Sequence, residues 1–114
     1  MDNKQLQDEN EFVKEMAEKF PEIREDILDE DYDGIITLQV GVLKSFTQKA
    51  IDTNDILTIK KSFSFVEDKL DKVVFKVENS LVLSYLAKLR FEQNPKAEKL
   101  LTKKMKDIRT NIAN

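Results

Sequence analysis

Residues 56–70 read I-L-T-I-K-K-S-F-S-F-V-E-D-K-L, and their spacing decides the fold class. Ile56, Ile59, Phe63, Val66 and Leu70 recur at steps of 3, 4, 3 and 4, which places all five on one face of an α-helix. Upstream, Leu38, Val42, Leu43, Phe46, Ala50 and Ile51 continue the same period from Ile35. The two runs are separated by Asp52-Thr53-Asn54-Asp55, a turn rich in N-cap residues. Gly41 lies inside the first run, where glycine costs about 1 kcal/mol relative to alanine. A close helix–helix contact at Gly41 is the expected reason.

Toward the N-terminus, Leu6, Val13, Met16, Ala17 and Phe20 predict an amphipathic helix. Pro21 interrupts it and suits the first turn of a short second helix through Ile23, Ile27 and Leu28. Downstream, Val73–Phe91 is the most apolar segment. Val77, Leu81, Val82, Tyr85, Leu86 and Leu89 cover most of a helix circumference, so this helix is expected to be central. It is placed from about Lys76, and the β-branched cluster leaves Val73–Phe75 open between helix and extended chain. Phe63, Phe65, Phe75, Tyr85 and Phe91 read as core, and Asn79, Ser80 and Ser84 as buried hydrogen-bonding groups. Asn94-Pro95 ends the segment, and Pro95 opens a last, basic helix striped by Ala97, Leu101, Met105, Ile108 and Ile112. The expected fold is all-α: five to six antiparallel helices in a bundle or short helical-hairpin stack, forming one domain over residues 1–114.

Composition supports this and narrows the chemistry. The 114 residues contain only two glycines and two prolines, too few turn residues for a barrel of many short strands. Cysteine and histidine are both absent, which removes thiol catalysis, disulfides, Ser-His-Asp triads and imidazole or thiolate zinc sites. With no glycine-rich loop or nucleophile elbow either, an enzyme is not expected. Residues 1–11 are polar and acidic, unlike a signal peptide, and no apolar stretch is long enough for a membrane span. A cytoplasmic protein is the expectation.

Net charge is −3, but it is unevenly spread: −9 over residues 1–33, +2 over 34–94 and +4 over 95–114. Such polarity either steers a partner or draws the two ends of one fold together. The basic residues Lys96, Lys99, Lys103, Lys104, Lys106 and Arg109 lack interleaved aromatics for base stacking, so nucleic acid is not the expected partner. An apolar face left exposed on the last helix would instead favour a homodimer.

One motif carries recognisable chemistry. Asp29, Asp31 and Asp33 alternate before Gly34 and Ile36, matching D-x-D-x-D-G-x-I, the opening of an EF-hand calcium loop. Calcium is therefore the one ion the sequence suggests, with Asp29, Asp31 and Asp33 as ligands. The twelfth position, where a bidentate glutamate belongs, is Val40, and no second loop of this type follows. The competing reading is an acidic inter-helix turn whose aspartates cap the next helix.

The runs D-G-I-I-T-L-Q-V-G-V-L-K-S-F at 33–46, S-F-S-F-V-E-D-K-L at 62–70 and V-E-N-S-L-V-L-S-Y-L-A-K-L at 77–89 resemble a family of small, uncharacterised bacterial all-helical domains. In that family an acidic turn leads into a helix, followed by helices bearing F-x-x-V-E and V-x-N-x-[ILV]. Here these are Phe63, Val66 and Glu67, then Val77, Asn79 and Leu81. The resemblance implies neither catalytic residues nor a cofactor, and it favours the turn reading of Asp29–Gly34. The functional expectation is a non-enzymatic domain that binds another protein. Its specific form is an immunity-type inhibitor that meets a basic partner through Glu30, Asp31 and Asp33; the alternative is a weak calcium-binding module.

Overall fold

Side chains take up free backbone groups at the starts of the first, fourth and last helices. The structure, a computed structural model, describes residues 5–113. The first four residues of the polar segment 1–11 and the last residue of the expected domain lie outside them. Among the described residues the secondary structure is helical, apart from one isolated bridge.

Helix α1 (Glu9–Lys19) starts at a capping box: the Glu11 N–H donates to Asp8 Oδ1 at 2.8 Å, and the Asp8 N–H donates to Glu11 Oε1 at 3.2 Å. That box stops the helix short of Leu6, which the apolar spacing had included and which is 44% exposed. Pro21 opens a 3-10 turn (Pro21–Ile23) that runs directly into α2 (Arg24–Ile27). A second 3-10 turn, Glu30–Tyr32, follows, and Gly34 takes the left-handed conformation with φ 77° as anticipated for the acidic turn.

Helix α3 (Ile36–Asp52) and helix α4 (Ile56–Lys69) form the centre. Asn54 turns the chain between them with φ 58°, and Asp55 caps α4 by accepting from the Thr58 N–H and hydroxyl. The stripe that opened the reading is buried as expected at Ile59, Phe63, Val66 and Leu70, while Ile56 remains half out at the helix start. Thr47 and Ser62 share a 2.6 Å hydrogen bond across the α3–α4 contact, and Ser62 also bonds the Tyr85 hydroxyl. Burial raises the Tyr85 pKa above its usual value, against the opposing hydrogen bonds of Ser62 and Thr47, so the phenol stays neutral.

The open question at Val73 is settled by a long-range partner. The Gln7 N–H donates to the Lys72 carbonyl at 2.8 Å and the Val74 N–H donates to the Gln7 carbonyl at 2.9 Å, an isolated parallel bridge that holds Val73 extended. Helix α5 (Phe75–Ser80) then continues through a π turn (Leu81–Tyr85) and a 3-10 turn (Leu86–Lys88). Its inner face is central to the core at Val77, Leu81, Tyr85 and Leu86.

Five expectations are corrected along the outer surface and the chain end. Phe75 is 75% exposed rather than core, and Asn79 is exposed rather than buried, because both lie on the outward face of α5. The segment ends at Lys88, before Asn94-Pro95. There the Arg109 guanidinium donates to the Leu86 and Leu89 carbonyls, and Gln48 both donates to and accepts from the backbone of Arg90. Pro95 opens only a 3-10 turn (Pro95–Leu100). An extended Leu101 separates it from α6 (Lys103–Ala113), whose Met105 N–H donates to the Thr102 hydroxyl. Finally, Gly41 meets no neighbour: a Cβ built there has nothing within 4 Å. The close helix crossing expected at Gly41 is absent, and the glycine borders an open groove instead.

One contiguous apolar cluster runs from Phe12 to Met105. The radius of gyration is 13.8 Å, close to the roughly 13 Å of a compact chain this long.

Candidate interaction face

The acidic turn stands between two grooves. On one side, α1, α2, the turn and the start of α3 enclose a space of about 390 Å³, bordered by Glu18, Asp29, Glu30, Asp33 and Gln39 among others. On the other side, Ile23, Asp29, Tyr32, Leu38, Gly41 and Phe46 border a shallower space of about 600 Å³. Asp29 touches both. Three large apolar side chains flank the turn in solvent: Leu28 at 45%, Ile35 at 43% and Leu38 at 45% exposure. Exposed apolar groups grouped beside uncompensated charge are a feature of docking surfaces.

Local chemistry explains the turn. Asp29 Oδ1 accepts from the Asp31 N–H at 2.8 Å, capping the 3-10 turn, and the Asp33 N–H closes it on the Glu30 carbonyl. All four acids of the turn are exposed. Of the three aspartates suggested as calcium ligands, Asp29 caps the turn and borders both grooves, Asp33 borders the first, and Asp31 borders neither. Among the described residues, no three acidic side chains are placed to hold a metal. Of the expected partner-facing residues, Glu30 and Asp33 come together on the first groove, while Asp31 borders neither groove.

Among the described residues no ion pair joins the acidic N-terminal third to the basic last segment. Glu9 and Glu15 of α1 pair with Lys76 and Lys69, from the middle of the sequence. At the other end, Lys104 pairs with Asp71 at 2.6 Å and Lys103 with Asp107 at 2.9 Å. Arg109 lies over the Phe91 ring, 5.1 Å from its centroid, while it caps the backbone carbonyls. Two of the six basic residues singled out in the last segment, Lys104 and Arg109, are thus tied to the domain itself. The apolar stripe of α6 turns inward at Met105, fully buried, and Ile108, half-buried, while Ile112 is 39% exposed. No helix among the described residues is long and apolar enough to cross a membrane.

Sequence reasoning passed over Gln39. It sits three residues after Ile36 and one before Val40, on the buried face of α3, and is itself only 4% exposed. A polar residue interrupting an apolar helix stripe was the signal that could have found it. Glu9 and Glu18 were also missed, because α1 brings them to the turn only through its packing against α2 and α3.

Comparison with known proteins adds a family and nothing finer. No curated protein and no solved structure matches the chain. Residues 13–111 match the family described as "Domain of unknown function (DUF7674)". That match spans α1 to α6, and the chain belongs to this family.

Proposed function

We propose that this domain is a non-enzymatic binding module, acting in a bacterial cytoplasm, that docks a basic protein on the face around residues 28–39. The observation that carries it is the pair of grooves on either side of Asp29, with Leu28, Ile35 and Leu38 exposed between uncompensated acids. Apolar groups supply area at the centre of such a face, and the carboxylates speed encounter and select a partner of opposite charge. Small size and acidity fit an immunity-type inhibitor of a basic toxin, the most specific form of this reading.

The test is a capture experiment from source cells, comparing the natural chain with a variant carrying Asp29→Asn, Glu30→Gln and Asp33→Asn. The expected result is one stoichiometric basic protein, retained by the natural chain and lost by the variant, with an association rate that falls as salt is raised. A partner held equally by both chains, or none at all, refutes the assignment. Calcium is the alternative ligand for Asp29, Asp31 and Asp33. Calorimetry of the metal-stripped protein against calcium, with Asp31→Asn as control, separates the two: micromolar binding lost in that variant favours the ion.

A further inference from the structure

Gln39 is the one nearly buried side chain that borders the first groove with its hydrogen-bonding capacity unused. Its backbone N–H donates to the Ile35 carbonyl at 3.2 Å, but its carboxamide has no partner among the described residues. A second group beside it is also unsatisfied: Oε2 of Glu9 is buried without a hydrogen bond, while Oε1 faces Lys76 at 3.4 Å. Buried polar atoms are nearly always paired, so the orphaned Glu9 oxygen and the unpartnered carboxamide of the nearly buried Gln39, on one groove, mark a place built for something else to donate.

The chemistry of the surroundings says what. Five carboxylates border the groove, from Glu9, Glu18, Asp29, Glu30 and Asp33, against the two cations Lys14 and Arg24. Neither cation forms an ion pair among the described residues. The acids are not gathered tightly enough for a metal. They are spread around an amide acceptor, and Val13 and Ala17 add apolar surface. A space of about 390 Å³ with an apolar wall, one deep acceptor and a carboxylate rim suits a long side chain with an aliphatic stem and several donors at its tip.

Resting on the binding reading above, we propose that this groove seats an arginine side chain of the basic partner, with the Gln39 carboxamide as the group that specifies it. Guanidinium offers five N–H donors in a fixed planar fork, enough to satisfy the Gln39 carbonyl, the free Glu9 oxygen and a rim carboxylate at once. An ammonium is a compact point charge with a stronger hydration shell, and serves such a divided set of acceptors less well.

The experiment follows the Gln39 side-chain amide resonances of the full chain by NMR while an amidated hexa-arginine peptide is added, with hexa-lysine as comparison. Saturable movement of those resonances with hexa-arginine is expected. Binding should weaken by about tenfold in Gln39→Leu, which fills the same space without the acceptor. Hexa-lysine should bind more weakly than hexa-arginine, and the rim variant Glu18→Lys should weaken hexa-arginine without touching the buried acceptor. Shifts confined to residues 29–34, with Gln39→Leu binding like the natural chain, overturn the groove assignment and leave the binding face standing. Equal affinity for both peptides overturns the arginine preference, and no shift with either peptide overturns both the groove and the charged face.

Discussion

Gly41 shows at the scale of one residue how the same letter carries opposite meanings. Inside a helical run a glycine ordinarily signals a close crossing, yet here a Cβ would meet nothing within 4 Å. The backbone is plain α-helix, so the residue contributes only unfolded-state freedom and a missing side chain. Gly41→Ala is therefore expected to stabilise the domain by about 1 kcal/mol, raising the thermal midpoint by roughly 4 °C in a circular-dichroism melt. A lower midpoint would mean that α3 needs the glycine for a reason its surroundings do not show. Gly34 is the contrast: its positive φ was legible, because a glycine after alternating aspartates has a local turn to make.

Among the elements, α3 and α4 were legible because their apolar period is local, and their caps at Asp52–Asp55 are written beside them. The ends of α1 and α5 were not. At α1 the spacing ran on to Leu6, and the reciprocal bonds of Asp8 and Glu11 stop it. Asp8→Ala leaves the Glu11 N–H without its side-chain acceptor and is expected to cost about 1 kcal/mol of stability. Chemical denaturation should show a lower midpoint with an unchanged slope; an unchanged midpoint would remove the box from the account of α1. At α5, the chain leaves the helix where Gln48 and Arg109 reach its backbone from 42 and 20 residues away in sequence. Nothing within residues 73–91 announces those partners, so the helix was drawn too long.

Across the whole molecule, charge links distant parts in a way the sequence sum concealed. Lys69 is nearly buried in α4 and reaches Glu15 on α1. The Lys69 hydrogen bond, and then that of Gln7, hold the Glu15 carboxyl below its ordinary 4.5, against the opposing effect of burial. A folded-state value below the unfolded one means the contribution is fully present above about pH 4.5 and is lost as pH falls through the folded value. Glu15 is 40% exposed at its side chain, so Glu15→Gln is expected to cost only about 1 kcal/mol at pH 7. Thermal melts of both chains between pH 7 and pH 3 should show the difference shrinking below pH 4.5; a constant gap would refute the link.

By itself the sequence determined the all-α class, the two central helices, the acidic turn and the absence of histidine and cysteine chemistry. These follow from composition and from periods that close within one or two helical turns. Tertiary structure alone decided that Val73 is extended, that the fifth helix stops at Lys88, and that Gly41 faces a groove. It also decided that Gln39 borders a ring of carboxylates drawn from α1 and the turn. For Val73 and the fifth helix the deciding partner lies far along the chain, and only packing, with its demand that buried backbone and polar groups be satisfied, brings it close.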